Sequence, residues 1–338
     1  MKSRLAILAA LASSGCAATP PINSLPAVSV TATAETEPVG TAAADAADDP
    51  AIWRNPADPA ASLIVATDKK AGLHVYGLDG KSRFFEPDGR LNNVDLIDMG
   101  DAGVIVAASD RNDPLNAKLR LYRLDTATAK LLPLGVVDGG KGEAYGVCLW
   151  ANGAAIHAFS VLKDGTVEEY RLDLSATPRA VPVATRKLAT QSEGCVVDPR
   201  DGTLYVGEED VGVWRFTAGQ ARGALVAPAD GKQLVMDTEG LAILPEGTEG
   251  GWLVVSSQGD NAYALYSLPG MQPAGRFRIA AGGKLGATEE TDGIALTGGD
   301  FGPDYPEGLF VAQDGRNAPA AQNFKLVPWR AIRETLGR

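Results

Sequence analysis

One short phrase, an apolar-aromatic strand ending near an acidic or glycine turn, recurs six times along the chain and constrains its fold more tightly than any other feature. It occupies 72–80, 119–125, 167–173, 211–216, 262–268 and 324–329. Its aromatic anchors Tyr76, Tyr122, Tyr170, Trp214, Tyr266 and Trp329 stand roughly 44 to 63 residues apart, near the period of propeller blades. A continuous apolar run precedes each phrase, at 62–66, 103–107, 154–158, 203–206, 251–255 and 308–311. Such runs suit strands covered on both faces. Before those lies a third set, at 49–53, 93–97, 145–149, 193–197, 239–243 and 292–296. Three strand types in constant order, six times over, predict an all-β chain: a six-bladed β-propeller with mainly four-stranded antiparallel blades. A fourth, outer strand is expected in stretches such as 274–279, and a helix only near 329–336.

The length of 338 residues would ordinarily suggest two domains, but repeats of this kind grow as one body. A formal net charge of −11 argues against a nucleic-acid partner. It also argues against a highly anionic small substrate unless bound cations reverse the local sign. The first 16 residues read as an export signal: Lys2 and Arg4, an apolar run from Leu5 to Ala12, then Ser13, Ser14 and Gly15 before Cys16. The pattern resembles a bacterial lipoprotein signal, with Ser13 where leucine is usual, and marks Cys16 for a lipid anchor. The expected location is the periplasm, the outer membrane as a lipoprotein, or the medium. Residues 17–40, rich in Ala, Thr and Pro, are expected to form a tether in which 27–32 offers an edge strand. Residues 41–338 form the propeller, expected to be monomeric. Cys148 and Cys195 are expected as free buried thiols. With Tyr145 and Glu193 both facing the channel, strict alternation turns the two cysteines to opposite faces.

In a propeller the first strand of every blade lines the central channel and all run the same way. The residues opening those strands therefore meet at one mouth: Asp49, Asn93 with Asp95, Tyr145, Glu193, Glu239 and Asp292. Glycine follows Tyr145, Glu193, Glu239 and Asp292, permitting close approach of neighbouring backbone. Loops opening at the same mouth add Lys69, Lys70, Arg111, Lys163, Glu208, Glu209, Gln258, Asp314 and Asn317. Clustered carboxylates need a counter-ion, and an all-oxygen, loop-built set suits Ca²⁺ over Mg²⁺. Zinc is disfavoured, since His74 and His157 are the only histidines and both lie inside strands. Their scarcity also removes histidine-phosphatase chemistry and leaves a Ser-His-Asp triad without a good base.

The segments 48–53, 67–73, 91–95, 193–194, 208–210, 237–240, 256–259, 291–293, 308–315 and 322–329 together resemble the β-propeller phytases, in order and around every blade. The resemblance implies calcium-dependent hydrolysis of phytate, with several calcium ions, some structural and some catalytic. It implies catalytic roles for Glu193, Glu209, Asp237, Glu239 and Asp292, with Tyr145 beside them. It implies phosphate binding by Lys69, Lys70, Arg111 and Lys163. Calcium ligation falls on those same acids, on Gln258, on Asp48, Asp49, Pro50 and Val94, and on Asp314 with Asn317. The chain departs at Gly286, where the family usually has an acidic calcium ligand, with Glu289 or Glu290 as the nearest substitutes. A calcium-dependent propeller lactonase or esterase is the rival enzyme, though it needs fewer cations at the mouth. A non-catalytic binding propeller is the alternative of another class, and it needs no converging carboxylates.

Overall fold

The computed structural model describes residues 23–42 and 45–338. The signal segment with Cys16, and residues 17–22 of the expected tether, lie outside the described residues. The rest forms six sheets arranged as blades. Blade one comprises Ala47–Trp53, Leu63–Asp68, Gly72–Gly77 and Ser82–Glu86. Blade two comprises Leu91–Asp98, Val104–Asp110, Asn116–Asp125 and Lys130–Lys141. Blade three comprises Ala144–Asn152, Ala155–Leu162, Thr166–Asp173 and Arg179–Lys187. Blade four comprises Ser192–Val197, Leu204–Glu208, Gly212–Phe216 and Ala224–Pro228. Blade five comprises Thr238–Glu246, Gly250–Ser257, Ala262–Ser267 and Gln272–Ala280. Blade six has Ile294–Gly298, Gly308–Asp314 and Asn323–Pro328 from the end of the chain. Consecutive strands within each blade pair antiparallel, and the six first strands neighbour one another in a ring in which blade six returns to blade one.

The continuous apolar runs become the second strands. Leu63–Asp68, Val104–Asp110 and Gly308–Asp314 are buried at every position because adjacent blades cover both faces. The core accordingly lies between blades. Tyr263 and Phe277 of blade five, for example, pack against Phe310 and Trp329 at blade six. Outer strands such as Ser82–Glu86 are largely exposed and polar. The single α-helix among the described residues, Trp329–Thr335, follows the last strand of blade six.

The segment expected as a tether is partly built into the ring. Ala34–Glu35 supplies the fourth strand of blade six, pairing antiparallel with Asn323–Pro328. Val28–Thr31 adds a fifth strand to blade five, parallel to Gln272–Ala280, within the stretch expected as an edge strand. Even Leu25 is fixed, its N–H donating to Lys232 O at 3.0 Å and its carbonyl accepting from Arg276 at 2.6 Å. The physical reason is that an outer strand leaves a row of unpaired N–H and C=O groups. The early residues satisfy two such edges while burying Val30.

Cys148 and Cys195 are joined by a disulfide with Cα atoms 5.8 Å apart, so the free-thiol expectation is wrong. Strict alternation fails because both first strands carry a register shift before the cysteine, between Ala144 and Gly146 and between Ser192 and Cys195. A reversal in both strands leaves the two cysteines on opposite faces of their blades, but neighbouring blades turn opposite faces towards each other, so the two side chains meet between blades three and four.

Candidate active site

Five first strands open on a bulge, and the bulged residues are the ones at the channel mouth. They are Asp48 and Asp49, Asn92 and Asn93, Tyr145, Glu193 and Gly194, and Glu239 and Gly240. In blade six, Asp292 and Gly293 stand immediately before the strand starts. Hydroxyls on the facing second strands stitch two of these bulges: Thr67 Oγ1 accepts from Asp49 N–H and Ser109 Oγ from Asn93 N–H. Next to the acids, glycine lets blades touch through backbone. Gly240 N–H donates to Asp292 O at 2.8 Å, and Gly293 N–H to Asp48 O at 3.0 Å.

The mouth is a cavity of about 760 Å³ lined by Tyr145, Glu193, Glu209, Asp237, Glu239 and Asp292, with Lys69, Gln191, Gln258, Arg316 and Asn317 among the others. One carboxylate oxygen from each of Glu193, Glu209 and Glu239 lies within 4.8 Å of the other two. Burial, reinforced by Asp292, pushes Glu193 up to about 7. Burial, reinforced by Asp48, pushes Asp292 up to about 7. Burial and then Glu193 hold Glu239 well above the carboxylate range, and burial raises Glu209. Glu209 Oε1 and Glu239 Oε2 are buried without any hydrogen-bond partner. A buried, unpartnered carboxylate oxygen among like charges is costly unless a cation takes it up. The set is oxygen-only and loop-built, which fits a hard divalent ion.

The cations divide. Lys69 Nζ sits 2.7 Å from Asp45, 3.0 Å from Asp48 and 2.9 Å from Asp292. Burial opposes its charge, but Asp48 and Asp292 prevail and hold it above the usual lysine range. Arg111 and Lys163 both approach the ring of Tyr145, at 5.8 Å and 5.2 Å from its centroid. Arg111 is tied to Glu193 through Asn92, whose Oδ1 accepts from the guanidinium and whose Nδ2 donates to Glu193 Oε1 at 2.8 Å. Lys70 is exposed, and of the four cations expected to bind phosphate only Lys69 lines the cavity itself, with Arg111 and Lys163 reaching its edge at Tyr145.

A narrower cavity of about 150 Å³ runs down the channel and is lined by Asp49, Pro50, Val94 and Asp95. Asp49 Oδ2 accepts from Val94 N–H at 3.1 Å, and Asp48 Oδ1 has no partner. Asp314 does not line the mouth cavity, and Asn317 lines its rim. Their own oxygens face Lys325, at 3.1 Å and 3.3 Å. Glu208, next to Glu209, faces away from the mouth and accepts from Ala189, Thr190 and Trp214. His157 pairs with Glu169 at 2.9 Å and His74 stacks with Tyr76 and Phe85, both away from the cavity.

Three site residues escaped the sequence reading. Gln191 Nε2 donates to Tyr145 OH at 3.1 Å, and Asn92 bridges Arg111 to Glu193. Arg316 lines the cavity while pairing with Glu290. Gln191 lies two residues before Glu193 and Asn92 one before Asn93, so proximity to a strand-opening residue was the available signal.

Comparison with known proteins bears on fold and family. At the level of fold alone, a chain in a crystal structure of the mitotic checkpoint complex superposes with a TM-score of 0.52 at 11% identity, covering 98% of this chain and 86% of that one. A curated 3-phytase of Bacillus subtilis (strain 168) is 39% identical over 328 residues, spanning 91% of this chain and 85% of the relative. With the phytase family model matching residues 2–338 as well, the chain belongs to the phytase family.

Proposed function

We propose that this phytase hydrolyses phytate in a calcium-dependent way at the channel mouth. The observation that carries the reading is the pair of buried, unpartnered oxygens on Glu209 and Glu239, within a group of like charges that the protein alone leaves uncompensated. Glu193, Glu209, Asp237, Glu239, Gln258 and Asp292 would hold catalytic calcium. Asp48, whose Oδ1 lacks a partner, would hold a structural ion with Asp49 and the carbonyls of Pro50 and Val94. Bound calcium supplies neutralisation of phosphate charge and acidification of a water.

The remaining work falls to the chain's own side chains. Arg111 and Lys163 present positive charge beside Tyr145, where a phosphate entering the mouth meets them. Arg111 offers a planar fork and Lys163 a point charge. Asn92 orients Arg111 against Glu193. Gln191 fixes the Tyr145 hydroxyl, which keeps the aromatic platform under both cations in place. Lys69 screens Asp48 from Asp292, so the two carboxylates coexist in one wall. Without metal, burial holds Glu193 and Asp292 up to about 7, so calcium binding there would displace protons near neutral pH.

The test is phosphate release from phytate in calcium, after chelation, and after calcium is restored. The reading expects activity, loss and recovery in that order. Full activity in chelator would refute it. We further infer that the chain is exported, with Cys16 as a lipid attachment point. The Cys148–Cys195 disulfide supports an oxidising compartment. Mass analysis of the mature N-terminus distinguishes a lipidated Cys16 from simple cleavage.

A further inference from the structure

Lys325 is completely buried, yet its ammonium is surrounded by oxygen. It contacts Glu35 Oε2, Asp314 Oδ2 at 3.1 Å, Asn323 Oδ1 at 3.0 Å and Asn317 Oδ1 at 3.3 Å. These accepting oxygens come from four places: the N-terminal strand, the second strand of blade six, the loop beyond it and the third strand. The resemblance to β-propeller phytases places a structural calcium on Asp314 and Asn317, completed by an acid where this chain has Gly286.

The residues present do not fit that ion. Asp314 Oδ2 is taken by the ammonium, and Oδ1 accepts from the N–H groups of Glu289 and Arg316 at 3.3 Å and 3.1 Å. Glu289 and Glu290 do not substitute for the missing acid. Their carboxylates are about half exposed and turn to Arg316. Gly286 itself points at the lysine: a Cβ built there would lie 3.9 Å from Lys325 Nζ. A divalent ion on the same oxygens would share them with a buried positive charge, in surroundings that screen repulsion poorly.

Other blades show the same device without any metal question. Asp110 with Arg120, Glu169 with Arg186, and Asp260 with Arg276 are acid–base pairs in the outer halves of blades two, three and five. Lys325 with Asp314 is the version in blade six, extended to Glu35.

We propose that Asp314 and Asn317 hold the ammonium of Lys325 in place of a divalent cation. The seam between the N-terminal strand and blade six is then closed by a salt-bridge network that needs no metal. The seam's chemistry is thereby separated from that of the mouth, where the orphaned oxygens remain.

The experiment counts bound calcium per chain by native mass spectrometry and measures thermal unfolding in calcium and in chelator. Asp314→Asn should leave the calcium count unchanged and lower Tm by at least about 2 °C, equally in both conditions. Loss of one ion, with destabilisation confined to calcium, would overturn the proposal. Should Asp314→Asn not fold, Asn317→Ser gives the same two readings. Glu239→Gln run alongside tests the mouth separately. A count that falls for Glu239→Gln but not for Asp314→Asn supports both readings. A count unchanged in both variants sinks calcium at Glu239 and leaves the lysine-closed seam standing on its equal Tm losses.

Discussion

Glycine decides whether the acids of this site can meet at all. A Cβ on Gly146 would lie 1.9 Å from Glu193 O, on Gly194 2.3 Å from Glu239 O, on Gly240 2.7 Å from Asp292 O, and on Gly293 2.5 Å from Asp48 O. Each glycine thus admits the carbonyl of the acidic residue in the next blade. The clash is with backbone, which cannot rotate aside. Gly194→Ala should therefore destabilise the protein by about 1–3 kcal/mol, seen as a lower urea midpoint, and should displace Glu239 from the mouth. An unchanged midpoint would show that the blades are not held that closely. Among the charged residues, metal and phosphate roles separate by rescue. Glu239→Gln keeps shape and removes a charge, so kcat on phytate should fall at least about tenfold, with excess calcium restoring part of it. Arg111→Ala should instead raise KM, by about ten- to a hundredfold, with no calcium rescue. Equal behaviour of the two variants would mean the division is wrong.

At the scale of the element, the bulge links fold to site. Five of the six first strands carry one, and each pushes a polar or acidic residue into the mouth before regular pairing resumes. The repeat was legible because strand type is written in periodicity, and Tyr145, Glu193, Glu239 and Asp292 stood out because each precedes a glycine at the same place in its repeat. The bulges themselves were not legible. A single extra residue leaves no periodic trace, and the cysteines meet despite pointing to opposite faces because neighbouring blades turn opposite faces towards each other. The tether was legible only in part, with 27–32 offered as an edge strand and Ala34–Glu35 missed. Ala34–Glu35 is short and unremarkable alone, and only the open edges of blades six and five, far along the chain, give it and Val28–Thr31 their partners. Lys325 was hidden likewise, since its partner Glu35 is 290 residues distant. The disulfide yields its own prediction. It closes a loop of 47 residues and ties the strands that carry Tyr145 and Glu193. Replacing both cysteines with serine should cost about 2–4 kcal/mol of stability. Denaturant unfolding of the oxidised protein beside the double variant measures it, and coincident curves would deny the staple any role.

The whole molecule gathers carboxylates on one axis of a chain that already carries a formal charge of −11, and it does so with Glu193, Glu239 and Asp292 all buried or nearly so. Without metal, that arrangement favours the protonated acids. Glu193, ordinarily at 4.5, and Asp292, ordinarily at 3.8, both rise to about 7 in the fold, chiefly by burial and then by neighbouring carboxylates. Glu239 is raised for the same reasons. A carboxyl whose folded value is raised binds more protons in the folded state than in the unfolded one across the interval between the two values. Its stabilising effect is therefore full below the unfolded value and is lost as pH climbs through the folded one. In chelator, Tm should accordingly fall between about pH 4.5 and somewhat above pH 7. Calcium acts in the opposite direction. It binds the ionised carboxylates, so its stabilisation grows as protons leave and supplies what the protein lacks at higher pH. The difference in Tm between calcium and chelator should thus widen steadily from about pH 5 to about pH 8. Thermal unfolding on a pH grid, with and without chelator, measures it directly. Because the seam at Lys325 involves no exchangeable ion, the Asp314→Asn variant should show the same widening as the parent protein. A gap that stays constant with pH would mean that the raised acids at the mouth are not the groups through which calcium stabilises this propeller.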